Sequence, residues 1–65
     1  MAAHATHSHF EKYSKILLIY KNGNRKIIKY LKTEKGIIYD TSHNKYPLNK
    51  IRCATYYSFI LDNMN

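Results

Sequence analysis

An Asn-Gly pair set between two apolar runs leaves a β-hairpin as the simplest local structure, and here Asn22-Gly23 stands between Ile16 to Tyr20 and Ile27 to Leu31. Both residues tolerate the positive φ of a two-residue type I′ loop. Such a loop pairs Lys21 with Asn24, Tyr20 with Arg25, Leu18 with Ile27 and Ile16 with Lys29, and turns Leu17, Ile19 and Ile28 to the other face. Apolar side chains then occupy both faces, as in a central strand or a curled sheet.

The remaining strand and turn signals extend this hairpin. Strand 1 is expected over about Lys15 to Lys21 and strand 2 over about Arg25 to Thr33. Glu34-Lys35-Gly36 gives the next reversal, a three-residue loop with Gly36 in the left-handed region of a G1 bulge. Strand 3 follows from Gly36 to Asp40. Thr41 to Asn44 is a loop by composition, and Lys45 to Leu48 is a short strand that Pro47 assigns to an edge. From Ile51 to Leu61 the residues Thr55, Tyr56, Tyr57, Phe59 and Ile60 favour a strand, against a helix that Asn49 would cap. At the other end, Ser8 and Glu11 fit a capping box, which predicts a short helix to about Ser14 or, alternatively, an extended lead-in.

The expected fold is therefore mainly β: a small five-stranded, strongly bent antiparallel meander or barrel, with the short N-terminal helix as an addition. Residues 1–9 are expected as a flexible tail and 10–65 as one small β domain. A chain of 65 residues buries only about 60% of its unfolded surface, so an oligomer or a bound partner would add stability. The single cysteine, Cys53, cannot form an internal disulfide and reads as a small buried hydrophobe in a reducing compartment. No apolar run approaches the roughly 20 residues that span a bilayer, and no secretory h-region is recognisable, so the expected location is the cytoplasm with no membrane partner. Ile, Lys, Asn and Tyr dominate, all with AT-rich codons, which suggests a phage, mobile element or low-GC bacterium as the source.

The hairpin Leu17 to Gly23 and the segment Ile51-Arg52-Cys53 through Phe59-Ile60-Leu61 resemble the two sequence motifs of the Sm-like family of small β-barrels, with Cys53 at the family's glycine. The resemblance extends more broadly to SH3-like barrels. It implies an N-terminal helix, five bent strands and RNA-binding rings, and it carries the family's RNA-contacting positions onto Asn22 and Arg52.

Chemistry-bearing constellations are sparse. Glu11, Glu34, Asp40 and Asp62 are scattered, and no phosphate-binding loop, dinucleotide fingerprint or nucleophile elbow is present, so no enzyme and no cofactor are expected. His4, His7 and His9 are close in sequence but lie in a tail that offers nothing to orient them, so no metal site is expected. Asp40 and His43 read as a hydrogen-bonded turn. What stands out is charge. Eleven Lys and Arg against four Asp and Glu give +7, a field that attracts polyanions. Lys21, Arg25, Lys26, Lys29, Lys32 and Lys35 crowd the first hairpin, where strand alternation puts Lys26, Tyr30 and Lys32 on one face and Lys29 on the other. The leading expectation is a non-catalytic nucleic-acid-binding module using Lys21, Arg25, Lys26, Lys29, Tyr30, Lys32 and Arg52. The alternative is a small protein-binding effector, such as a phage-type inhibitor or adaptor of a host protein, that docks Tyr46, Tyr56, Tyr57 and Phe59 on an acidic protein surface or adds a strand to its partner.

Overall fold

In the computed structural model, residues 9–58 are described. They form β1 (Lys15–Tyr20), β2 (Arg25–Glu34), β3 (Ile37–Asp40), β4 (Lys45–Pro47), a single 3-10 turn (Leu48–Lys50) and β5 (Ile51–Tyr56). The sheet has the order β4-β3-β2-β1-β5, and every neighbouring pair is antiparallel. The first four strands thus run as a meander, and β5 returns to the free side of β1. The mainly β, five-stranded expectation holds. The sheet is an open one, because its terminal strands β4 and β5 do not pair with each other.

The first two hairpins exchange the loop types expected of them. At Asn22-Gly23 the loop has three residues, Lys21 to Gly23. The Gly23 N–H donates to the Tyr20 carbonyl at 2.9 Å and the Tyr20 N–H to the Asn24 carbonyl at 2.8 Å. Only Gly23 of the dipeptide takes positive φ, at 94°. Asn22 instead uses its side chain, Oδ1 accepting the Asn24 N–H at 2.9 Å. This is a type I turn closed by a G1 bulge, and it moves the register by one residue. Ile16 now faces Ile28, Leu17 faces Ile27, and Lys15 faces Lys29. The hydrophobic pattern explains the shift, since it sets two isoleucines opposite each other on the core face where the two-residue loop would have set Ile16 against a lysine.

At the second hairpin Glu34 pairs directly with Ile37, leaving a two-residue loop. Lys35 (φ 52°) and Gly36 (φ 77°) both have positive φ, the type I′ geometry that matches strand twist. The Gly36 carbonyl also accepts the Leu48 N–H at 2.9 Å, which ties this turn to the 3-10 segment.

The β3–β4 loop repeats the first loop with different residues. The His43 N–H donates to the Asp40 carbonyl at 2.9 Å, the Asp40 N–H donates to the Asn44 carbonyl at 3.2 Å, and His43 takes the place of Gly23 with φ 67°. The expected hydrogen-bonded turn is thus present, with Asp40 at its base.

β2 is long enough to serve two partners, with Arg25 to Lys29 pairing with β1 and Tyr30 to Glu34 with β3. Between these halves Leu31 is an extra residue, because Tyr30 faces Asp40 while Lys32 faces Tyr39. Such a bulge bends the strand and resets its alternation. Thr33 therefore joins Tyr30 on the inner side, their hydroxyls 2.7 Å apart, and Lys32 turns outward. The expected sharing of one face by Lys26, Tyr30 and Lys32 does not occur.

The bend lets all five strands contribute to one core of Ile16, Leu18, Ile28, Tyr30, Ile38, Tyr46, Ile51 and Ala54, closed by Phe10, Tyr20 and Leu48. Residues 9–14 form no helix. The Glu11 N–H donates to the Tyr56 hydroxyl at 2.8 Å, and the Phe10 ring packs edge-on against Tyr30 and Tyr56, with centroids 5.3 and 5.0 Å away. Burying Phe10 between two rings outweighs what one isolated helical turn could offer. Tyr13 then sits at φ 72° with its N–H donating to the Tyr30 carbonyl at 2.7 Å. At the other end, Ile51–Tyr56 is a strand and no helix starts at Asn49. Positions 59–61 of the expected strand and the histidine-containing tail 1–8 lie outside the described residues.

Candidate nucleic-acid interface

The register of β2, β1 and β5 arranges the outward residues of these three strands in rows. Lys29 faces Lys15, whose carbonyl accepts the Tyr57 N–H at 2.9 Å. The next outward row is Ile27, Leu17 and Thr55, and the one after it is Arg25, Ile19 and Cys53. This face has an apolar middle with cations at both ends. Leu17 is only 1% exposed, whereas Ile27 remains 45% exposed in mid-strand. Cys53 is a free thiol, half-buried beside Ile19. Two lysines directly opposite each other repel, and no acidic side chain lies in these three rows to compensate.

Among the described residues the cations far outnumber the carboxylates. All eleven Lys and Arg fall within residues 9–58 and all are exposed, against Glu11, Glu34 and Asp40. Glu34 lies 3.1 Å from the Lys32 ammonium. Asp40 is buried and its oxygens face inward: Oδ1 accepts the N–H groups of Ser42 (2.8 Å) and Asn44 (3.0 Å), and Oδ2 accepts Asn44 Nδ2 (3.0 Å) and the Tyr46 hydroxyl (2.7 Å). Burial alone would raise the Asp40 pKa, but the hydrogen bonds from Tyr46, Asn44 and Ser42 outweigh it and hold the carboxyl at about 2. The Tyr46 phenol is pushed up to about 12 by burial, by its hydrogen bond to Asp40 and by that residue's charge.

The sequence-predicted nucleic-acid residues separate into distinct environments. Arg25 and Lys29 lie on the outer face. Lys32 is also on the outer side, with its ammonium 5.0 Å from the centre of the Tyr39 ring. Lys26 faces Leu18 on the inner side of the sheet, at an exposed position near the hairpin end. Lys21 is at the hairpin tip. Arg52 is the extra residue where the β1–β5 register shifts, since Ile19 faces Cys53 and Tyr20 faces Ile51. Tyr30 is only 3% exposed, so its ring belongs to the core and has no face to offer an unpaired base.

Among the residues expected for protein docking, Tyr46 is 6% exposed and its hydroxyl is committed to Asp40. Tyr56 and Tyr57 are consecutive and fall on opposite sides of β5: Tyr56 holds Glu11 and Phe10 on the inner side, while Tyr57 extends the Lys29–Lys15 row. Phe59 lies outside the described residues. Lys15 was absent from the sequence-based set, and a three-residue loop at Lys21 to Gly23 is the signal that would have placed it opposite Lys29. Among the described residues no three His, Cys, Asp or Glu converge on a common point, and no helix is long and apolar enough to cross a membrane. No family model matches this chain, and comparisons with curated proteins and with solved structures find no similar protein.

Proposed function

We propose that this chain is a non-catalytic nucleic-acid-binding module whose contact surface is the outer face of β2, β1 and β5, centred on Lys15, Lys29 and Arg25. The observation that carries this reading is the Lys15–Lys29 pair, with no acidic side chain among the described residues of its rows, within a surface of eleven exposed cations. Phosphates between the two ammonium groups would relieve their repulsion, and counterion release would drive association. The half-buried Tyr57 at the end of that row supplies a ring beside the cations. The strand order, with β5 returning to β1 after one 3-10 turn, supports placing the fold among SH3-like small barrels. The free Cys53 is in keeping with a reducing compartment such as the cytoplasm.

A second reading, docking of an acidic protein surface, is favoured by Ile27, an exposed apolar side chain at the middle of a cationic face. Fluorescence anisotropy with a labelled single strand at two salt concentrations separates the two. Replacing Lys15, Arg25 and Lys29 with Gln is expected to lower the salt slope by roughly 2 units, about 0.7 per lost phosphate contact. Equal slopes for the parent and the triple variant would exclude this face as the nucleic-acid surface.

A further inference from the structure

The hairpin tip and the 3-10 turn meet in a second feature. Between them lies a shallow cavity of about 270 Å³ lined by Tyr20, Lys21, Asn22, Asn49 and Lys50. The Lys21 N–H donates to the Lys50 carbonyl at 3.0 Å, so loop and turn hold each other in place. Asn22 Oδ1 is already committed to the Asn24 N–H, which leaves the amide NH2 as the group it can offer a ligand. Two lysines, two asparagines and the half-buried Tyr20 line it, the accessible lining is mostly apolar, and no carboxylate residue is among them. Such a lining suits an anion attached to a flat, partly apolar body. The volume lies just below the range of drug-sized sites, the scale of a single nucleotide.

We propose that this cavity is a nucleotide subsite for an unpaired strand, with a phosphate between Lys21 and Lys50, a base against Tyr20, and the Asn22 amide donating to an oxygen of the base or sugar. The subsite rests on the nucleic-acid reading above and adds strand preference to it. Exposed lysines neutralise phosphates of any strand, whereas a base can enter a cavity only when it is free of a duplex stack.

Labelled oligothymidylate and a duplex of equal length, titrated by anisotropy at two salt concentrations, provide the test. Asn22→Ser keeps an oxygen for the Asn24 N–H and removes the amide donor without altering charge. It is expected to weaken single-strand binding by about 3- to 10-fold, the effect of one lost hydrogen bond, and to leave duplex binding unchanged. Replacing Lys21 and Lys50 with Gln should lower the single-strand salt slope by roughly 0.7 units, for the one phosphate they share. The Lys15→Gln, Lys29→Gln pair should weaken both substrates alike. If Asn22→Ser disturbs the turn, as its melting curve would reveal, Asn49→Ala reads out the same cavity from the other side.

Binding by the parent that is insensitive to all the cavity variants overturns the subsite and leaves the basic face standing. Absence of binding by the parent removes the wider reading. Thymidine monophosphate then decides the cavity on its own: amide shifts confined to Lys21, Asn22 and Lys50 retain it as a nucleotide site, and their absence removes it.

Discussion

The Tyr46 hydroxyl donates to Asp40 Oδ2 at 2.7 Å across the β3–β4 hairpin, joining the last residue of one strand to the middle of the next. Each partner alters the acidity of the other. Burial, with the bond to Asp40 and its charge, takes Tyr46 from 10.0 up to about 12, while the bonds from Tyr46, Asn44 and Ser42 outweigh burial and bring Asp40 from 3.8 to about 2.

Stability should therefore fall at both pH extremes for reasons centred on this pair. The folded Asp40 pKa is below its unfolded value, so its contribution is complete above about pH 4 and is lost as pH falls through about 2. That contribution is on the order of 2 kcal/mol. The folded Tyr46 pKa is above its unfolded value, so its contribution is complete below about pH 10 and is lost as pH rises through about 12. Tyr46→Phe should cost about 1.5–3 kcal/mol at neutral pH and shift the acid transition upward. Urea unfolding at a series of pH values measures both, and an acid limb identical in parent and variant would contradict the coupling.

The two three-residue loops predict opposite responses at equivalent positions. Gly23→Val should destabilise the fold by more than about 1 kcal/mol, because a β-branched residue resists φ near 94°. No heavy atom lies within 4 Å of the added Cβ, so the cost comes from the backbone alone. His43→Gly should instead stabilise by up to about 1 kcal/mol, by relieving the same geometry. Thermal melts of the two variants report the signs.

Lys35 occupies the first central position of a type I′ turn, where Asn is preferred. Lys35→Asn would write Asn-Gly at the hairpin that has the matching geometry. A gain of a few tenths to about 1 kcal/mol is expected, and a lower melting temperature would show that Lys35 contributes more than its backbone conformation.

The Lys15–Lys29 repulsion predicts that moderate salt stabilises the free protein while weakening its complexes. Lys29→Glu should raise the melting temperature at low ionic strength and remove most of its salt dependence. A melting temperature of the parent that does not respond to salt would mean that other groups already balance the pair.

Strand positions were legible from sequence because β-branched and aromatic runs between Gly, Asn and Asp clusters admit few other structures. Registers were harder to read. Asn-Gly suits a type I′ loop, yet Asn22 can also cap the Asn24 N–H with its side chain, and the pairing of Ile16 with Ile28 settles which geometry prevails. That single residue decided whether Lys15 or Ile16 met Lys29, and so whether the basic face could be recognised. The bulge at Leu31 carries no glycine or proline to announce it, which is why Tyr30 could be read as surface when it belongs to the core. The capping box at Ser8 failed for a different reason, since the rings that bury Phe10 come from residues 20 and 46 positions further along the chain.

The extra residue at Leu31 makes chain length as consequential as side-chain identity. Removing Leu31 would leave Lys32 outward and Thr33 inward in simple alternation, but it would take out the bend at which β2 passes from pairing with β1 to pairing with β3. No substitution elsewhere in that strand could restore the bend. An insertion beside Ser42, in contrast, would lengthen an exposed loop tip and leave both halves of the sheet in frame. Variation in length is thus expected to collect at the loop tips and to be excluded from the centre of the longest strand.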